Sequence, residues 1–198
     1  MRAPLRLLIA GACALGMAAG VARGAPQTRT VLERFTAMAV NMGDPWPVSA
    51  GTVEIVIHRW STEAEREALV GVLMDRGSDA LLSALQDAPA VGYIRTPNSL
   101  GYDLHFAQDL PGEDGGRRVI LATDRPIGFW EATNRPRTID YPFTVIEIRL
   151  NADGEGEGKM SIATRITGNR RGKLIEIEDY ATQPVRLLSV RSERRPTF

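Results

Sequence analysis

Apolar and polar residues alternate with a period of two along most of this chain, and that alternation limits what it can fold into. From Thr52 to Trp60, Val53, Ile55 and Ile57 share one register while Glu54 and His58 share the other, the pattern of a strand with one buried face. Phe143 to Leu150 repeats it, with Ile146, Ile148 and Leu150 opposite Glu147 and Arg149. Met160 to Ile166 sets Met160, Ile162, Thr164 and Ile166 against Ser161, Ala163 and Arg165, and Leu174 to Asp179 and Val185 to Val190 complete a C-terminal series in which Arg165 and Arg186 are the expected cross-strand partners of Glu176 and Glu178, with a frayed tail from Arg191 to Phe198. The stretches between them are turn-forming: Pro97 to Gly101, Pro111 to Gly116, Asn151 to Gly158 and Gly168 to Gly172. Loops this short join antiparallel neighbours, because a parallel crossover needs a dozen or more residues. The expected fold class is α+β, a predominantly antiparallel β meander curled into a partly closed barrel or sandwich.

One segment departs from period two. Between Ser61 and Ala88, Leu69, Val72 and Leu73 and then Leu81, Leu82 and Leu85 recur at helical steps. Thr62 and Glu65 have the spacing of a capping box, Gly77 suits a C-terminal cap, Ser78 opens a second helix and Pro89 stops it. A helical hairpin is therefore inserted between strands, its apolar stripe covering one face or end of the sheet. Thr30 to Met42 fits either an amphipathic helix or a strand, and the alternation Thr36, Met38, Val40, Met42 favours the strand. Asp124 to Pro142 has no period at all, and aperiodic loops longer than about 12 to 15 residues often carry function.

The N-terminus obeys different rules. Arg2 and Arg6 precede an apolar run from Leu7 to Ala22, which reads as a cleavable signal peptide over residues 1–24 followed by a single domain over 25–198. Cleavage fits before Ala25 or before Arg23, and retention of the segment as an anchor is the alternative. Ile9 to Cys13 resembles a degenerate lipoprotein box, but cutting there leaves fewer apolar residues than the usual 7 to 15 or so. Cys13 is the chain's one cysteine, so the exported product has none and must be stabilised by packing rather than disulfides. Periplasmic or secreted location follows. Removing Arg2, Arg6 and Arg23 from 24 basic residues leaves three fewer than the 24 acidic ones, a mildly acidic balance that disfavours nucleic acid as a partner. No membrane span is expected in the mature chain.

Chemistry-bearing motifs are sparse. The two histidines, His58 and His105, lie in alternating segments, with no Gly-x-Ser-x-Gly elbow and no His-x-His or His-Glu-x-x-His spacing for zinc. The acidic tip Asn151 to Gly158 lacks the EF-hand order of ligands. No catalytic residue, metal site or cofactor is expected. The most unusual stretch is Asp124 to Pro142, which mixes arginines, carboxylates and aromatic rings. Guanidinium groups recognise carboxylates and phosphates in fork geometry. The candidate ligand residues are therefore Arg125, Trp130, Arg135, Arg137, Asp140 and Tyr141, joined by Arg95 and Tyr102 around the Pro97 turn. The competing account pairs Arg125, Arg135 and Arg137 internally with Asp124, Glu131 and Asp140, with Phe129 and Trp130 plugging an open end of the sheet.

Several segments also resemble an uncharacterised family of exported bacterial proteins: GTVEIVI at 51–57 with RWST at 59–62, VGYIRTPNSLGYDL at 91–104, ATDRPI at 122–127 and NRPRTIDYPF at 134–143. The similarity spans about residues 50–190 and implies export and a bacterial source, with no assigned activity to carry over. Three functions stay open: a non-catalytic binding module for a small anionic or amphiphilic ligand, a cell-envelope structural or protein-interaction protein, and a hydrolase using Asp124, Glu131 or Asp140.

Overall fold

The computed structural model describes residues 30–42, 49–97, 99–127, 140–169, 171–172, 174–180 and 183–194. The expected leader and residues 128–139 of the long loop lie outside these. In chain order the elements are β1 (Glu33–Asn41), β2 (Ser49–Ile57), α1 (Glu63–Arg76), α2 (Ser78–Asp87), β3 (Gly92–Arg95), β4 (Tyr102–Leu104), β5 (Phe106–Pro111), β6 (Arg117–Thr123), β7 (Phe143–Leu150), β8 (Glu155–Asn169), β9 (Leu174–Asp179) and β10 (Val185–Arg194). All the strands pair antiparallel in one sheet, ordered β4-β3-β2-β1-β10-β8-β7-β6-β5, with β9 attached to β8 alone. The segment Thr30 to Met42 is thus a strand, as its alternation favoured.

The two ends of that order belong to one bent strand. Leu104 of β4 accepts a bond from Val91 N at 2.7 Å, and the next residue, His105, donates through its backbone N to Ala122 O of β6 at 3.0 Å. One half of the strand therefore serves β3 and the other half β6, which curls the sheet into a nearly closed barrel. With β4 and β5 counted as one stave and β9 set aside, eight staves surround the interior, a number whose lumen side chains just fill. Phe35, Ile55, Leu121, Ile146, Met160 and Leu187 are among those that fill it. Ile127 folds back to seal the end where β6 runs out, its N–H held by Thr144 Oγ1 at 2.9 Å.

The opposite end is closed by charge. Glu33 on β1 is only 1% exposed and accepts from Arg117 Nη2 of β6 at 2.5 Å, from Arg194 Nε of β10 at 3.1 Å and from Ser192 Oγ. Asp109 Oδ2 of β5 takes the other ends of the same guanidinium groups, Arg117 at 3.0 Å and Arg194 at 2.6 Å.

Four expectations are corrected. The acidic tip is shorter than Asn151 to Gly158, because β8 already begins at Glu155. Alternation does not run unbroken from Met160 to Ile166: a bulge makes Ser161 pair with Val145 but Thr164 with Phe143, so Met160 and Ile162 enter the barrel while Ile166 joins a separate cluster outside it. β10 does not extend the meander past β9 but lies between β1 and β8, so Arg186 opposes Lys159 rather than a β9 glutamate. Lastly, Arg191 to Arg194 is not a frayed tail; it is strand, held by the Glu33 cluster.

The helical hairpin forms as its spacing predicts. Thr62 Oγ1 accepts from Glu65 N at 3.2 Å, and Glu65 Oε2 accepts from Thr62 N at 2.8 Å, completing the capping box. Gly77 ends α1 at φ 85°, in the region that favours glycine. Leu73, Leu81 and Leu85 then pack on Phe143 and Ile166, over the outer face of the sheet.

Candidate functional site

Outward positions on strands of a barrel are ordinarily polar, but here those of β5 to β8 nearest the helices are not. Phe106, Ile120, Ala122 and Val145 all point away from the lumen, since their neighbours Ala107, Val119, Leu121 and Ile146 point into it. Leu69, Leu73, Leu81 and Leu85 roof this floor incompletely, leaving an apolar groove of about 240 Å³. Its far wall is β9, where Ile175 and Ile177 remain 45% and 54% exposed. Among the described residues, Arg66 of α1 and Gln108 of β5 contribute the only charged or amide side chains of the lining. Gly168 shapes the wall from below: a Cβ there would lie 2.9 Å from Met74 Sδ and 3.3 Å from both Leu73 Cγ and Leu73 O, so a larger residue would require the Met74 side chain to move and α1 to give slightly.

The strand register fixes what lies next to the groove. Directly opposed residues share a face, and Ile120 of the groove floor opposes Glu147, which opposes Lys159, which opposes Arg186. One step further along the strands, about 7 Å away, Arg118 opposes Arg149 and Arg149 opposes Glu157. The oily floor therefore passes without interruption into a charged field on the same outer face. Glu147 sits at its centre, 8% exposed, accepting from Arg118 Nε at 2.9 Å and Arg149 Nε at 3.0 Å and lying 3.2 Å from Lys159 Nζ. Burial pushes its carboxyl up, but the bonds from Arg149 and Lys159 and the nearby positive charge hold it below the usual range. A cleft of about 480 Å³ opens beside it, lined by Arg149, Lys159, Arg186, Glu157 and Gln183 among others.

The described residues among those expected to form a site are scattered over four places. Arg95 reaches Glu54 at 2.6 Å on the outside of β2 and β3, with its guanidinium over the Tyr93 ring. Tyr102 packs against the barrel core. Arg125 pairs with Asp124 at 3.1 Å, as the competing account of that loop had it. Asp140 and Tyr141 lie on the β8–β9 arm, where Arg165 Nε donates to Asp140 O at 3.1 Å and covers the Tyr141 ring, and Tyr141 Oη donates to Glu178 at 2.7 Å. Trp130, Arg135 and Arg137 lie outside the described residues.

Known protein families, curated proteins and solved structures offer no match to this chain. Geometry alone carries the functional reading. Among the described residues no three His, Cys, Asp or Glu side chains gather as metal ligands, and no helix is long and apolar enough to cross a membrane. His105 is more enclosed than an alternating histidine should be: Nδ1 lies 2.9 Å from Ala88 O and Nε2 lies 3.6 Å from Asp124 Oδ1. Burial raises the Asp124 carboxyl, but Arg125 and His105 outweigh it and hold the group low. Asp124 is thus held as a carboxylate rather than as an acid poised to donate, and the contact of His105 with Ala88 O ties the strand bend to the end of α2.

The groove and its charged field were not foreseen from the sequence, although signals were there. Phe143 and Val145 are apolar in the register that carries Glu147 and Arg149 on β7, and a strand apolar on both faces is covered on both faces. Glu33 sits in the register of Phe35, Ala37 and Ala39, where a charge is tolerated only with buried partners.

Proposed function

We propose that the protein is an exported, non-catalytic binding module for an anionic amphiphile. The apolar part of the ligand lies in the groove between the helical hairpin and the sheet, and its anionic head rests among the basic residues that begin at Arg118. The observation that carries this is the register: Ile120 and Val145, which line the groove, are immediate neighbours of Glu147 and its three cations on one continuous face. The groove is smaller than the roughly 300 to 1,000 Å³ of an enclosed site for a whole ligand, which suits a tail held on one side with the head outside. The signal-peptide pattern of residues 1–24, with Arg2 and Arg6 before an apolar run, supports an extracytoplasmic setting in which free amphiphiles are met.

A second reading, docking of an envelope protein, is favoured by β9, which has all six residues exposed and β8 as its strand partner. Such an edge accepts an added strand. Fluorescence titration with 11-dansylamino-undecanoate separates the two. Saturable binding with one tracer per chain, lost in the double variant Ile175→Asp, Ile177→Asp while the circular dichroism spectrum is kept, is the expected result. No saturable binding, or binding untouched by the double variant, overturns the groove as the ligand site and leaves β9 docking in its place.

A further inference from the structure

The charge field beside the groove is unbalanced in a specific way. Arg118, Arg149, Lys159 and Arg186 are four cations on four adjacent strands, and Glu147 and Glu157 are the two carboxylates among them. Two of the cross-strand pairs oppose like charges, Arg118 with Arg149 and Lys159 with Arg186. Opposed like charges destabilise a sheet, so an arrangement with two such pairs side by side is one that a bound anion would relieve. Glu147 relieves part of it from within, since Arg118, Arg149 and Lys159 all converge on its carboxylate. Over the whole field the four cations exceed the two carboxylates by two, and three of those cations, Arg149, Lys159 and Arg186, line the open cleft of about 480 Å³ together with Glu147 and Glu157.

We infer that this field selects a doubly charged phosphate monoester as the head group of the amphiphile, in preference to a singly charged carboxylate or phosphate diester. The inference rests on the amphiphile reading and adds to it the chemistry of the head. A phosphate monoester carries close to two negative charges above its second ionisation, near pH 6, which matches the excess. Its three terminal oxygens can accept from several guanidinium and ammonium groups together, as a carboxylate with two oxygens cannot. Arg118 and Arg149 reach Glu147 through Nε, and Arg186 approaches Glu157 at 3.8 Å through Nη2. All four cations are about half exposed or more, so they meet a ligand without the sheet opening.

Competition against bound 11-dansylamino-undecanoate at pH 7.5 tests this with four displacers: dodecyl phosphate, methyl dodecyl phosphate, dodecanoate and inorganic phosphate. Dodecyl phosphate should displace the tracer at about one tenth the concentration needed by the other two amphiphiles, because one further charge-assisted bond is worth roughly that factor. Its advantage should vanish in Arg149→Gln with Lys159→Gln and be partly kept in Arg149→Lys. Inorganic phosphate should not displace the tracer, since the tail holds the ligand. Equal displacement by all three amphiphiles overturns the head-group inference while leaving the groove standing. An advantage that persists in the double glutamine variant overturns it as well, and displacement by inorganic phosphate as readily as by dodecyl phosphate shows a free-anion site instead. Failure of the tracer to bind at all is the separate failure of the groove.

Discussion

Glu33 shows how a single buried charge can be held in an apolar register. Burial pushes its carboxyl upward, yet the bonds from Arg117 and Ser192 and the positive charges of Arg117 and Arg194 outweigh this, and the group ionises below its usual 4.5. A carboxyl whose folded pKa lies below its unfolded one contributes fully above the unfolded value and loses that contribution as the pH falls through the folded one. Urea unfolding between pH 5 and pH 2 should therefore show stability falling with acid. In Glu33→Gln that fall should be shallower, and stability at pH 7 should be lower by about 3 kcal/mol, because Arg117 is left enclosed without its main counter-charge. A variant as stable as the parent at pH 7 would show that Asp109 and solvent, not Glu33, neutralise Arg117. Glu65 adds a smaller acid-sensitive contribution of the same sign, lowered to about 2 by Arg59 and by the Thr62 backbone; being largely exposed, it is screened.

Local sequence accounts for the elements well where one rule acts alone. Thr62→Ala removes the hydroxyl that accepts from Glu65 N and should cost about 1 kcal/mol, read as a melting point lower by about 2 to 4 °C in a chain of this size. Gly156→Ala is a harsher change: the new Cβ would lie 1.9 Å from Arg149 O, so β7 and β8 could not keep their spacing. We expect loss of cooperative melting there, whereas Gly71→Ala, with nothing within 4 Å, should melt at or above the parent's temperature. The capping box, the helical stripe and the period-two strands were legible because each is set by residues within a few positions of one another. The bulge in β8, the bend at His105 and the place of β10 were not, because each is decided by a partner far along the chain. The groove fell between these cases: its floor is written in Phe143 and Val145, but its roof belongs to helices some 70 residues earlier, and no local pattern joins the two.

The molecule has two apolar layers of different quality. Inside the barrel, side chains such as Phe35, Ile146 and Met160 are almost wholly enclosed, each worth about 1.5 to 3 kcal/mol, and the helices add a thinner layer outside. Closure depends on the last strand: β10 pairs with β1 through Glu33↔Arg194 and with β8 through Val185↔Met160. Truncation after residue 184 should leave a chain without a cooperative unfolding transition by circular dichroism, despite an intact helical hairpin sequence. A truncated chain that still unfolds cooperatively would place the stability in β1 to β9 alone.

That same closing strand has a consequence for timing. Until residues 185–194 have been synthesised, β1 and β8 share no neighbour and the ring stays open. A nascent chain that lacks this strand therefore presents unpaired edges on β1 and on the first half of β8. Because Glu33 and Arg194 end up side by side, the fold should also tolerate a circular permutant in which a short linker joins residue 194 to residue 33 and the chain is opened at the exposed turn around Leu100.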